Sequence, residues 1–129
     1  MIKLIIHDIP PSNNKYQGNS HSYHAYRQEK MEWHELVRAA ISQKPKEPYR
    51  QAIVEITYYF KDRRRRDPDN YSGKFLLDPL VKEGILADDS FSNVTLRLEA
   101  KVDKENPRTE IKISERGIEN GRERDTGKL

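Results

Sequence analysis

Between residues 94 and 102 the chain alternates without a break, with Val94, Leu96, Leu98, Ala100 and Val102 on one side and Thr95, Arg97, Glu99 and Lys101 on the other. A period of two is that of a half-buried strand, so this chain has to build a sheet with one apolar face. Shorter stretches repeat the pattern: Ile2, Leu4 and Ile6 near the start, Val54, Ile56, Tyr58 and Phe60 within about 51–60, and Ile111 and Ile113 within 109–114. Two segments between them carry helical spacing instead. Tyr26, Trp33, Val37, Ala40 and Ile41 recur on one face from about Tyr23 to Gln43, with Leu36 widening the stripe. Phe75, Leu76, Leu77, Leu80 and Val81 form a shorter helix that Asn70 can cap and that ends at Gly84, a natural C′ residue. Pro79 inside it predicts a kink near Asp78-Pro79, or a first turn followed by a separate helix. The order β-α-β-α-β-β predicts an α+β fold, a small mixed sheet with helices on one face. The last two strands read as a hairpin closed by the loop from Asp103 to Arg108.

Hydrophobic residues make up 34% of the 129 residues and charged residues 35%, so a single domain with an economical core is all the chain can build. Some of the charge belongs to an end. Residues 1–114 form the predicted domain, and 115–129, ERGIENGRERDTGKL, have almost nothing to bury and read as a disordered tail. The absence of cysteine excludes disulfides, thiol catalysis and Cys-ligated metals. Four scattered histidines do not make a zinc site. The apolar run at the N-terminus is too short for a signal peptide, and no stretch reaches the roughly 18 apolar residues of a membrane helix. The expectation is a cytoplasmic protein without a membrane partner.

The chemistry concentrates in Arg63-Arg64-Arg65-Arg66-Asp67-Pro68-Asp69-Asn70, directly after the second strand, with Lys74 and the pair Asp88-Asp89 following. Net charge is only +3, so the basic signal lies in clustering, which suits a polyanion. Two acids at i and i+2 on an extended segment face one side, where a divalent cation relieves their repulsion. A hard cation such as Mg²⁺ takes oxygen ligands from carboxylates and completes its shell with water and substrate phosphates. The competing reading is a solvated, charge-balanced turn. Asn13 and Asn14, in the rigid Pro10-Pro11-Ser12 loop, either reach a phosphate and orient the catalytic loop or serve turn chemistry alone. Asp78 stands four residues after Lys74, the spacing of a helix-surface ion pair, and is read as the group that positions that ammonium.

Four separated motifs, PPSNN, DRRRRDPDN, FLLDPLVKEGIL and ADDS, together resemble the RusA family of Holliday junction resolvases, endodeoxyribonucleases often carried by prophages. The resemblance spans roughly residues 2 to 114. It implies Mg²⁺, for which Mn²⁺ can substitute, held by Asp67, Asp69 and Asp89, with Lys74 as a further catalytic group. Read from the residues themselves, Asn70 and Asp78 are candidates to support this set, Asp88 either does so or is simply exposed, and Arg63, Arg64, Arg65 and Arg66 make a phosphate grip beside Asn13 and Asn14. Tyr71, Ser72 and Gly73 separate Asn70 from Lys74 by one residue more than the family pattern. The implied substrate is the four-way junction, whose two matched cuts call for a homodimer, joined by the edge of the first or last strand. The alternative is a non-catalytic branched-DNA-binding or phage regulatory nucleic-acid-binding protein.

Overall fold

The computed structural model describes residues 1–13 and 20–116, with the backbone alone for 20–22. Four strands and two helices follow in the order β1 (Ile2–Ile6), α1 (Ser20–Ala40), β2 (Ala52–Phe60), α2 (Lys74–Lys82), β3 (Val94–Val102) and β4 (Arg108–Glu115). They make one mixed sheet in the spatial order β1-β4-β2-β3. The α+β expectation, with the helices gathered on one side, holds. The tail reading falls almost wholly on residues outside those described.

Alternation decides which face is covered. Ala52, Val54, Ile56, Tyr58 and Phe60 of β2 are buried, as are Ile2, Leu4 and Ile6 of β1 and Thr109, Ile111 and Ile113 of β4. Against this face lie Trp33 and Val37 from α1 and Phe75, Leu76 and Leu80 from α2, all in one core. Leu36 stays largely exposed, so the α1 stripe is narrower than its sequence spacing predicts. Helix α1 also begins and ends a few residues earlier than predicted. Helix α2 runs continuously through the buried Pro79, so of the two outcomes the sequence allows, a kink or a split, the split does not occur. At nine residues it has few interior bonds to lose, and burial of the ring compensates for the missing N–H.

The last two strands are not a hairpin. β4 lies between β1 and β2, antiparallel to both, and β3 runs parallel to β2 on its far side. Two alternating runs that are neighbours in sequence read as a pair, but burial keeps these two apart. Ile111 and Ile113 are fully buried and claim the centre of the sheet, whereas β3 buries only Val94. The five residues between β3 and β4 therefore pass over the end of β2. Asp103 N–H donates to Phe60 O at 2.8 Å, and the Asp103 carboxylate accepts from Arg108 at 2.7 Å and from the N–H groups of Glu105 and Asn106. Arg108 also lies over the Tyr59 ring, 3.8 Å from its centroid.

Two other polar ties hold the elements together. His34 of α1 and Lys44 meet Glu83, at the end of α2, at 2.8 and 3.3 Å. Hydrogen bonding by His34, then by Lys44, keeps the Glu83 carboxyl below its ordinary value, and Arg108 does the same for Asp103. A carboxyl depressed in the folded state stabilises it above the unfolded pKa, and that contribution is lost as pH falls through the folded value. The stabilisation from these ties is therefore constant near neutrality and fades below about pH 4. Replacing Glu83→Gln and Asp103→Asn together should make the urea midpoint depend less steeply on pH between about 5 and about 2.5. An unchanged pH profile would remove these carboxyls from the acid response.

Candidate active site

Residues 61–73 leave the end of β2 and fold back onto it, held at two points. Arg66 closes the first half by donating to the carbonyls of Asp62 and Arg64, at 3.1 and 2.9 Å, and to the Asp62 carboxylate at 2.8 Å. Its guanidinium lies 4.1 Å from the centroid of the Phe60 ring. The Arg64 N–H, then Arg66, holds the Asp62 carboxyl below its ordinary range. Tyr71 closes the second half, edge-on to Phe60 and Tyr58 with centroids 5.2 and 5.8 Å away. Burial pushes the Tyr58 phenol upward.

The acids sit between these two anchors. Asp67 has extended backbone, but Pro68–Asn70 form a 3₁₀ turn, closed by Asn70 N–H to Asp67 O at 3.0 Å. The two carboxylates therefore do not share a side by strand alternation, as the sequence predicts for an extended segment. Asn70 ends this turn and does not cap α2. Asn13 reaches across from the loop after β1, its amide donating to Asp69 O at 3.0 Å and to Ser72 Oγ at 3.3 Å. Its role here is to clamp the acidic turn. Asn14 lies outside the described residues. Arg65 Nε meets Asp67 Oδ1 at 3.2 Å, an ion pair exposed on both sides, and Asp69 is exposed. Arg63 and Arg64 are exposed, the amino group of Arg64 3.8 Å from Asp62, so the four arginines divide into three that face solvent and one built into the loop.

Gly73 joins the turn to α2, and sequence reading missed its part. It is the residue before the helix, at φ 89°, and a Cβ there would stand 2.9 Å from Ile56 Cδ1 of β2. Only glycine fits both the left-handed backbone and this approach. A lone glycine between a turn and an apolar helical run was the available signal. Lys74 then opens α2, its ammonium 4.8 Å from the centre of the Tyr26 ring on α1. Asp78 does not position it: that carboxylate pairs with Lys82 at 3.3 Å and Lys30 at 3.8 Å.

Asp88 and Asp89 lie elsewhere. α2 runs back along the sheet, Tyr49 bridges Leu86, and β3 restarts beside the first residues of β2, with Val94 opposite Ala52. Asp67 instead lines a shallow pocket with Tyr58, Phe60, Leu98 and Ala100. The strand rise from Val94 to Ala100 amounts to about 20 Å. The chain thus brings Asp67, Asp69 and Lys74 to one end of the sheet and leaves Asp89 at the other. Among the described residues no three acids or histidines gather as a metal cluster. Asp88 Oδ1 accepts the Asp89 N–H at 2.8 Å, a local turn contact.

The fold is a one-sided α+β sheet with a clamped acidic turn at the end of a central strand. The family model described as Endodeoxyribonuclease RusA matches residues 8–114, and the chain belongs to this family of junction-resolving endonucleases. No curated protein matches the chain. Membership carries divalent-metal dependence and a branched DNA substrate. Among the described residues no helix is long and apolar enough to cross a membrane.

Gly73→Ala should cost about 1–3 kcal/mol, from left-handed backbone strain and the contact with Ile56. The measurement is the urea midpoint, and a midpoint equal to that of the unaltered protein would show that the turn relaxes freely.

Proposed function

We propose that this chain is a Mg²⁺-dependent, structure-specific endodeoxyribonuclease that resolves four-way junctions by two matched phosphodiester cuts, acts as a homodimer and accepts Mn²⁺ in place of Mg²⁺. The observation that carries this reading is the acidic turn: two accessible carboxylates on a segment pinned by Arg66, Tyr71 and Asn13, with Lys74 opening the helix that follows. Among the described residues Asp69 and Asp89 accept no side-chain hydrogen bond, and the partner of Asp67 is the exposed Arg65. Hard oxygen donors that are not already satisfied suit a hard cation. Within one chain the set stops at two, so the reading assigns the third carboxylate, Asp89, to a second copy.

When bound, the cation would polarise the phosphoryl group and make water acidic enough to attack at neutral pH. The chain's own groups do the rest. Lys74, its ammonium over Tyr26 and accessible, supplies a compact positive charge to the scissile phosphate. Arg63, Arg64 and Arg65 face solvent and can exchange their carboxylate contacts for DNA phosphates, whereas Arg66 keeps the loop closed. A junction has near two-fold symmetry, so a C₂ dimer presents two equivalent sites to two opposing strands.

The test is incubation with labelled four-way, forked and linear DNA, with Mg²⁺ and with EDTA. Paired cuts in the junction that need the metal are expected, and junction binding without cleavage under any divalent metal would leave only a DNA-binding protein. Asp67→Asn, Asp69→Asn and Asp89→Asn should each abolish cleavage and leave junction binding intact or tighter, because each removes negative charge from a site that receives phosphate. Lys74→Ala should slow cleavage by orders of magnitude, with Lys74→Arg recovering only part.

The arginines separate in a second experiment. Neutralising Arg63 and Arg65 should flatten the dependence of log Kd on log salt by roughly one unit for each phosphate they no longer neutralise. Arg66→Ala should instead lower the melting temperature. Equal effects from all of them would mean that Arg66 also leaves the loop to meet DNA.

A further inference from the structure

An open cleft of about 400 Å³ lies between α1 and α2, with Arg27 and Lys30 on one wall and Lys82 on the other. The helix that supplies the first wall is sorted by sign. At about 100° per residue, Arg27, Lys30 and His34 fall in one sector of α1 roughly 60° wide, next to the buried Val37, whereas Glu29, Glu32 and Glu35 fall in another. Arg38, which pairs with Glu35, lies outside the cleft. A helix that needs only solubility gains most from opposite charges spaced by four, which cancel locally. Sorting them by face leaves a field, and this one points at the seam with α2. We infer that the cleft is a track for DNA backbone, holding phosphates of the cleaved strand about two to four nucleotides from the cut. The inference rests on the nuclease reading above and names where the substrate runs. The arginines that follow β2 do not line this cleft.

Tyr26 joins the cleft to the acidic turn. Its ring lines the cleft and also carries the Lys74 ammonium, 4.8 Å from its centroid, while Phe75 of α2 holds it at 5.5 Å. A strand whose phosphate meets Lys74 therefore finds the cleft as its next surface. The spacing along α2 fits such a path. Asp78 and Lys82 stand about 6 and about 12 Å beyond Lys74 along the helix axis, which is the rise of about two and about four nucleotides of B-form strand. Lys30 reaches over from α1 to the level of Asp78. At the mouth Tyr23 is 61% exposed with the Arg27 guanidinium 5.9 Å from its ring centroid, and an aromatic face beside a cation suits a sugar next to a phosphate.

Asp78 sits among these cations, and its position gives it a task. It meets Lys82 at 3.3 Å and Lys30 at 3.8 Å, and all three side chains are more than a third exposed. Pairs of this kind are weak and exchange readily with another anion. Asp78 thus keeps two lysines turned into the cleft in the free protein and gives them up to phosphate. Glu83, which borders the cleft through His34, is already engaged by His34 and Lys44 at 2.8 and 3.3 Å. Three cations against one lining carboxylate leave the cleft net positive.

Binding to a four-way junction, read in EDTA so that the DNA stays intact, tests the track. Arg27→Gln, Lys30→Gln and Lys82→Gln combined should flatten the dependence of log Kd on log salt by about two to three units, with the melting temperature as the control for folding. Asp78→Asn should act in the opposite direction and tighten binding about threefold, since it removes the competing anion. Neutral methylphosphonates placed about two to four nucleotides from the cut should weaken binding by the unaltered protein and have little further effect on the triple variant, because each removes the same contact. Equal losses in both proteins, an unchanged salt slope, or weaker binding by Asp78→Asn overturns the track. Should the junction be cut with Mg²⁺ while the triple variant binds it normally, the nuclease reading stands without the cleft. Should the triple variant lose its salt slope while the unaltered protein cuts no DNA under any divalent metal, the track stands and the catalytic reading falls.

Discussion

The parallel pairing of β2 with β3 is the constraint from which the rest follows. Parallel neighbours cannot be joined by a tight turn, so the chain must cross back over the sheet, and α2 is that crossing. The crossing covers the apolar face of β2 with Phe75, Leu76 and Leu80. It also fixes where the chemistry falls. Whatever follows β2 lies at one end of the sheet, and whatever precedes β3 lies at the other.

The end that follows β2 is built for rigidity. Residues 61–70, with almost no apolar side chains, would ordinarily make a mobile loop, yet Arg66 over Phe60 and Tyr71 against Phe60 and Tyr58 fasten it at two places. Gly73 then lets the backbone touch β2 before the helix begins. Each residue between Asn70 and Lys74 has a task here: the 3₁₀ turn ends at Asn70, and Tyr71, Ser72 and Gly73 supply an aromatic anchor, a contact for Asn13 and a left-handed step. Lys74 consequently starts the helix, where no carboxylate one turn away holds it. Its neighbour is the face of Tyr26, a weak contact.

Much of this is legible in the amino-acid order because periodicity reports burial directly. All four strands and both helices are where alternation and helical spacing put them, within a few residues. Strand partners are not legible, since Ile111 and Ile113 look the same in sequence whether they pair with β3 or with β1 and β2. Only the competition for the centre of the sheet decides it, and that depends on how much α1 and α2 cover. Composition finds the acidic turn but not its conformation, because Asp-Pro-Asp-Asn is compatible with both extended and 3₁₀ backbone. Asp78 misleads for a related reason. Spacing of four licenses a pair with either Lys74 or Lys82, and Lys30 on α1 adds pull toward the latter.

The distance between Asp89 and the acidic turn gives a physical reason for symmetry in such a nuclease. If the third carboxylate comes only with a second copy, a lone chain holds a cation weakly and has little capacity to cut, while a dimer forms two complete sites at once. Cation binding and dimerisation are then linked, and each strengthens the other by the same factor. On the same reading branched DNA would extend the linkage, because a symmetric junction would contact both arginine clusters together and favour the dimer over the monomer. Selectivity for two-fold substrates then needs no reading of base sequence. On the proposed reading it follows from building each active site out of two chains, and from a sheet whose parallel pair keeps the two halves apart in one.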